Sequence, residues 1–350
     1  MQLHIHRFTV HKRVPLTISR GTYAESENIW VRVLEDGIEG WGEGTAFSTG
    51  HRAQTIEDLT QALDHLAPLL APVSPLDRQQ IDALIQKVAL PSAAQAALDM
   101  ALHDWVGKRA GLPLWQLWGG DRQQIVPTSV TIGISTPEAA QHRLRLWRDV
   151  FEPQAVKIKL GSPAGIEADQ AMFLAVRQDT PTQVKVSVDA NGGWSVEDAI
   201  RMSHWLAEQG VTYLEQPLAA GHEEGLRSLY HQSPLPIFVD ESCYTSRDVA
   251  QLSDRVHGIN IKLMKAGGLS EALRMVHAAQ AWGLQIMFGC YSDTSLSNTA
   301  AAHLAPFAHH LDLDSHLNLT NDPFQGATLH NGRLIPNEQP GLGVNRASNP

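Results

Sequence analysis

Hydrophobic residues alternate with polar ones, or run together with β-branched and aromatic neighbours, in three stretches near the start of the chain: 2–10, 28–34 and 38–43. This pattern predicts strands, and Asp36-Gly37 between the last two predicts a two-residue hairpin turn. Apolar positions then recur at helical spacing over 54–70, 78–88 and 92–109, the last stretch being dense in helix formers and closed by Gly111 and Pro113. Residues 1–124 therefore read as an α+β domain built on a small antiparallel sheet.

Beyond this point the pattern changes to eight short apolar runs, each followed by a helical stretch: VPTSVTIGI, AVKIKL, VKVSVDA, VTYLEQ, PIFVDES, GINIKLM, LQIMFGC and HHLDLDS. Markers near their ends, from Thr131 and Lys159 to Cys290 and Asp312, lie 22 to 30 residues apart, the length of a strand-helix unit. Helix starts are signalled by Thr136-Pro137 and by a capping box at Ser195-Val196-Glu197-Asp198. Val- and Ile-rich strands separated by helices imply a parallel sheet covered on its outer face, and eight units suit closure. The predicted fold class is α/β, a (β/α)8-type barrel over 125–322 behind an N-terminal α+β capping domain. A tail over 323–350 carries the hairpin signal Asn331-Gly332 and is expected to return to the cap, with its last residues loose.

Composition narrows the function. Apolar residues make up 43% of the 350 and charged residues 18%, enough for a buried core and unlike a disordered chain. The net charge of −10, with no basic block, argues against nucleic acid or an anionic membrane as partner and points to a small ligand or a metal. Cys243 and Cys290 are too few for a disulfide framework and too far apart for a C-x-x-C site. With no signal-peptide pattern at the start and no apolar run of about 18 residues, a cytoplasmic location is expected.

In a barrel of this kind the active site lies at the C-terminal ends of the strands. Asp189, Glu215 and Asp240 end three successive runs, where an isolated charge is costly to bury. One such acid would more often cap a helix; three in series call for a cation, and oxygen ligands alone suit Mg²⁺ ahead of Mn²⁺. Lys157 and Lys159 share one face of a strand and Lys262 ends a run almost across the barrel, while Lys265 is expected to reach solvent or pair with the carboxylates. Lys157 and a metal would both disfavour the charged form of Lys159, as a general base requires. Bases on opposite sides of a metal-held carboxylate suit removal of the adjacent proton, followed either by its return to the other face or by elimination or cycloisomerisation.

These residues resemble the enolase superfamily, specifically its muconate lactonizing enzyme subgroup. The likeness rests on Lys-x-Lys at 157–159, VDANGGW at 188–194, LEQP at 214–217, VDES at 239–242 and NIKLMKAGG at 260–268. GWGEG at 40–44, ALDMALHDWVGK at 97–108 and GLPLWQLWGG at 111–120 extend it to the cap. Asp312 and Asp314 further resemble the Asp-x-Asp motif of dipeptide epimerases, which binds the substrate's ammonium group; Ser315 stands where a glycine often follows. The resemblance implies an acid/base pair Lys159 and Lys262, ligands Asp189, Glu215 and Asp240 for Mg²⁺, and a homo-oligomer.

The activity so implied is epimerisation of an L,L-dipeptide at its C-terminal residue through an enediolate. Loops at 17–25 and 46–51 are expected to shape the side-chain pocket. Arg20 could meet an acidic side chain there, while Ile18, Tyr23, Phe47 and Tyr291 could line an apolar one; hydrophobic dipeptides are the favoured expectation. Thr131 and Cys290, near the ends of the first and seventh runs, are expected beside the substrate. The rival readings are an L-Ala-D/L-Glu epimerase, an N-acylamino acid racemase, an o-succinylbenzoate synthase, a muconate cycloisomerase and a non-catalytic metal- or ligand-binding barrel. Substrates without an ammonium would leave Asp312 and Asp314 as buried anions with no partner.

Overall fold

The computed structural model describes residues 1–347. The chain opens with an antiparallel sheet of β1 (Gln2–Ile18), β2 (Gly21–Glu35) and β3 (Ile38–Thr45), with β2 in the centre. Asp36 (φ 51°) and Gly37 (φ 73°) form the expected turn between β2 and β3 in left-handed backbone. The other hairpin differs from expectation. β1 and β2 stay paired as far as Ile18 opposite Gly21, so 17–25 is the tip of a two-stranded ribbon and not an open loop. The polar run His11-Lys12-Arg13 breaks the alternation, and the register shifts between His11 and Leu16; such a bulge removes the period from which a strand is read. Pro15 is tolerated because β1 is an edge strand.

Helices α1 (Ile56–Leu70) and α3 (Ser92–Ala110) pack against the sheet, and α2 (Arg78–Val88) packs on α1. α3 lies close on β3 because both surfaces are made of small residues. A Cβ on Gly42 would stand 1.9 Å from the Ala97 carbonyl oxygen, and one on Gly40 would stand 2.0 Å from that of Ala101. The glycines of GWGEG thus make room for a helix.

Eight parallel strands follow, each hydrogen-bonded to the next: β4 (Val130–Ile132), β5 (Ala155–Lys159), β6 (Lys185–Asp189), β7 (Leu214–Glu215), β8 (Ile237–Val239), β9 (Gly258–Ile261), β10 (Gln285–Gly289) and β11 (His310–Asp312). A parallel bridge between Thr128 and Leu311 joins the two ends of the sheet, with Ser129 N donating to the Leu311 carbonyl at 2.8 Å. The helices between strands include α4 (Pro137–Arg148), α5 (Ile166–Asp179) and α6 (Val196–Glu208). Thr136 and Ser195 cap α4 and α6, although at Ser195 only the Asp198 N bond of the expected capping box is made.

Cap and barrel are fastened by a buried carboxylate. Glu43 on β3 accepts hydrogen bonds from Thr294 Oγ1 at 2.6 Å, Ser297 N at 3.1 Å and Asn28 Nδ2 at 2.8 Å, beside the start of α7 (Ser295–Ala302). Burial first and Asp293 second push its pKa up to about 8, against the pull of these donors.

Asn331 (φ 49°) and Gly332 (φ 72°) turn the predicted hairpin of the tail. Its position corrects the expectation that it joins the cap. Thr128 N donates to the Gly332 carbonyl at 2.8 Å and Gln154 Nε2 to that of Asn331 at 2.7 Å, which puts the hairpin beneath β4 and β5 at the opposite barrel end. A turn signal specifies local backbone and says nothing of the surface it docks on. Other parts of the tail do reach the cap: Phe324 meets the Trp41 ring and Leu342 N donates to Asp104 at 2.7 Å. The expectation of loose terminal residues falls partly on 348–350, outside the described residues. Among the described residues no helix is long and apolar enough to cross a membrane.

The fit of α3 on β3 gives a stability test. Gly42→Ala should lose about 3 kcal/mol in chemical denaturation, as overpacked sites do. An alanine at exposed Gly37 would lose less, since nothing stands within 4 Å of its added Cβ and only the backbone conformation is strained.

Candidate active site

The strands carry side chains alternately inward, and at the C-terminal ends of β5 to β9 and of β11 those side chains are charged. Lys157, Lys159, Asp189, Glu215, Asp240, Lys262, Asp312 and Asp314 are all buried there. Such burial is affordable only if opposite charges meet. Lys157 Nζ donates to Glu215 Oε2 at 2.5 Å and to Asp312 Oδ2 at 2.7 Å; Lys159 Nζ donates to Asp189 Oδ2 at 2.6 Å. Lys262 Nζ lies 2.8 Å from Asp240 Oδ2, and Lys265 Nζ lies 2.6 Å from Asp240 Oδ1.

Lys265 is therefore a buried partner of Asp240. Its ammonium also donates to the carbonyls of Asp240, Cys243 and Asn260, so three backbone groups and a carboxylate hold it inside the barrel.

The electrostatics follow from this pairing. Burial works against the Lys157 and Lys262 charges, but neighbouring carboxylates outweigh it and hold both well above the ordinary lysine value: Asp312 and Glu215 for Lys157, Asp240 and Glu241 for Lys262. Lys157 is thus directed at Glu215 and Asp312. Glu215 rises to about 7 through burial, with the like charges of Asp189 and Asp240 adding to it. Asp314 rises to about 6 through burial and Asp312, while Asp312 is held down to about 2, where Lys157 and Lys159 outweigh its burial.

Asp189, Glu215 and Asp240 suit a hard divalent cation. Their donors are all oxygen, they crowd one another enough to raise Glu215, and both Asp240 oxygens lack an aligned hydrogen-bond donor despite their lysine neighbours. Among the described residues no three potential ligand groups are gathered closely enough to grip an ion as they stand, each of these acids being turned toward a lysine or an asparagine.

Two cavities meet at these charges. One, of about 180 Å³, reaches from Thr131, Asp312 and Asp314 outward. The other, of about 130 Å³, contains Lys262, Phe47, Tyr23 and Arg20. Lys159, Cys290 and Tyr291 line both. At the first, Thr131 N donates to Asp314 Oδ2 at 2.7 Å, Ser129 Oγ donates to Asp312 Oδ1 at 2.8 Å and Cys290 Sγ donates to the Asp312 carbonyl at 3.1 Å. At the second, Phe47 and Tyr291 stack with centroids 4.7 Å apart, and Lys262 Nζ stands 4.5 Å from the centre of the Tyr291 ring.

The structure thus brings together every candidate residue named from the sequence, although Arg20 does not offer a free charge. Its Nη2 donates to Glu241 Oε1 at 2.8 Å and its Nη1 to the Asn191 carbonyl at 2.8 Å. Sequence reasoning missed Glu241 as its partner, and it missed Lys12 and Arg143 as pocket residues. Glu241 could have been suspected as the second acid of VDES; Lys12 was hidden by the break in β1, and Arg143 looks like any exposed position of an amphipathic helix.

A closed parallel barrel, a cap whose ribbon covers its mouth, and paired lysines among three strand-end carboxylates define a class of enzyme-like cap-and-barrel proteins. Residues 2–119 match the mandelate racemase / muconate lactonizing enzyme N-terminal domain and residues 139–347 the enolase C-terminal domain-like family. The chain belongs to this branch of the enolase superfamily. It is 44% identical over 345 residues to a hydrophobic dipeptide epimerase of Flavobacteria bacterium (strain MS024-2A) and 45% over 344 residues to one of Roseobacter litoralis, with 98% of each chain covered in both cases. Among solved structures, a dipeptide epimerase from Enterococcus faecalis V583 complexed with Mg and the dipeptide L-Leu-L-Tyr superposes with a TM-score of 0.91 at 32% identity, 98% of each chain being covered.

Lys157 gives the sharpest test of the charge network. Lys157→Met leaves Glu215 and Asp312 buried without their shared cation, and should destabilise the protein by about 3–5 kcal/mol in denaturation followed without divalent ions.

Proposed function

We propose that this chain is a Mg²⁺-dependent dipeptide epimerase that inverts the α-carbon of the C-terminal residue of hydrophobic dipeptides. The observation that carries the reading is the junction of the two cavities at Lys159: acids to hold an ammonium on one side, Lys262 and stacked aromatic rings on the other. A dipeptide has an ammonium at one end and a carboxylate beside its second α-carbon, and this arrangement matches both.

Asp312 and Asp314 would take the ammonium, with Thr131 orienting Asp314. Asp189, Glu215 and Asp240 would hold Mg²⁺, which supplies the positive charge that makes a proton beside a carboxylate removable. Lys159 and Lys262 would share the proton work: one amine takes the α-proton, the electron pair moves into the carboxylate, and the opposite ammonium returns a proton to the other face. Lys157, held by Glu215 and Asp312, would fix the shape of the site. Mn²⁺ would substitute at such an oxygen set.

The pairing of Arg20 with Glu241 supports apolar second side chains over acidic ones. An entering carboxylate would have to compete with a buried carboxylate already in place. Phe47, Tyr23 and Tyr291 supply apolar surface instead. The likeness to hydrophobic dipeptide epimerases agrees with this choice.

With Mg²⁺ in D₂O, L,L-dipeptides ending in Phe, Tyr or Leu should take up deuterium at the second α-carbon and yield the L,D epimer, read by NMR. Absence of exchange across a broad dipeptide library would defeat the proposal. Lys159→Ala and Lys262→Ala should each abolish epimerisation, with exchange from one face retained; a wild-type rate in either would remove that lysine from the chemistry.

The ammonium clamp carries its own pH dependence. Asp314 titrates near 6, so its anion is lost as pH falls through that value, and the KM for dipeptides should rise below about pH 6. Asp314→Asn should raise KM and flatten this limb in steady-state kinetics.

A further inference from the structure

The cavity that begins at Asp312 and Asp314 continues outward, and its outer wall is cationic. Val14, Pro15 and Leu16 of the ribbon and Ile134 and Ala139 of the barrel give it apolar surface, while Lys12 and Arg143 bring two positive charges. Both charges are held in place. Lys12 Nζ donates to Ser292 Oγ at 2.5 Å, and the Arg143 guanidinium lies 4.1 Å from the centre of the Trp147 ring. Neither lies within ion-pair distance of a carboxylate among the described residues, and both are partly buried, which weakens solvent screening.

This inference rests on the epimerase reading, which puts the ammonium of the first residue on Asp312 and Asp314. The side chain on the same carbon then points into the space bounded by Lys12 and Arg143. We propose that these two residues make the first-residue pocket select by charge, rejecting Lys and Arg side chains and admitting acidic and apolar ones. A cationic side chain would have to lose its water beside two fixed positive charges. An acidic one gains them as partners, because Asp312 is neutralised by Lys157 and Asp314 by the substrate's own ammonium. Arg143 lines this cavity alone, whereas Lys12 stands where the two cavities meet; at the second residue Arg20 is already paired.

The test keeps the second residue constant. L-Glu-L-Phe, L-Gln-L-Phe and L-Lys-L-Phe are compared as substrates of the Mg²⁺-loaded protein, Gln serving as the uncharged control of similar shape. The Glu dipeptide should exceed the Lys dipeptide in kcat/KM by at least about tenfold, with Gln between them. Arg143→Met should narrow the ratio to within about threefold, chiefly by lowering KM for L-Lys-L-Phe, and Arg143→Lys should preserve it. Lys12→Met, on the edge ribbon, tests the same point by a second route if Arg143→Met does not fold. Equal or inverted rates in the wild type, or an unchanged ratio in the folded variants, overturn the inference while leaving the epimerase reading intact. Exchange with no dipeptide of any charge overturns both.

Discussion

Burying like charges in one place is the constraint on which this molecule is built. Asp189, Glu215, Asp240, Glu241, Asp312 and Asp314 stand in the mouth of the barrel, against Lys157, Lys159, Lys262, Lys265 and Arg20. No member can be moved far without leaving a neighbour uncompensated, because Lys157 serves two acids and Asp240 serves two lysines. The result is a rigid array fixed by pairing as much as by packing. The rest of the fold supports it: parallel strands point their ends at a common centre, and the cap keeps water away.

The same array explains why the proposed chemistry needs a cation. The carboxylates already outnumber the positive groups, and Glu215, crowded by Asp189 and Asp240, resists ionisation. Asp189, Glu215 and Asp240 would hold a dication there, and its positive charge would offset their mutual repulsion. Lys262, raised by Asp240 and Glu241, is the lysine most affected by how those acids are engaged.

Much of this was legible in the sequence because the chemistry follows the strand period. Eight apolar runs at regular spacing gave the barrel, and acids or lysines at the ends of those runs marked its mouth. Asp312 and Asp314 were legible through their resemblance to an Asp-x-Asp motif; Asp312 ends β11 and Asp314 lies just beyond it. What stayed hidden depended on partners distant along the chain. Nothing near Arg20 announces that Glu241 will claim it, and the bulge after His11 erased the alternation that would have extended β1. The hairpin at Asn331-Gly332 was visible as a turn, but its seat under Thr128 and Gln154 depends on three-dimensional neighbours.

The ribbon formed by the ends of β1 and β2 joins these points. Val14 and Pro15 face one cavity, Ile18, Arg20 and Tyr23 the other, and Lys12 and Leu16 line both; the segment after β11 ties the ribbon down through Asn318, which exchanges hydrogen bonds with Val14. The lysines and strand-end acids come from the barrel, more than a hundred residues further along the chain. The proton-moving lysines are therefore encoded apart from the ribbon, which shares the lining of both pockets with barrel residues such as Arg143 and Tyr291. A change in one surface hairpin reshapes part of both pockets without altering the amines and acids at the barrel mouth.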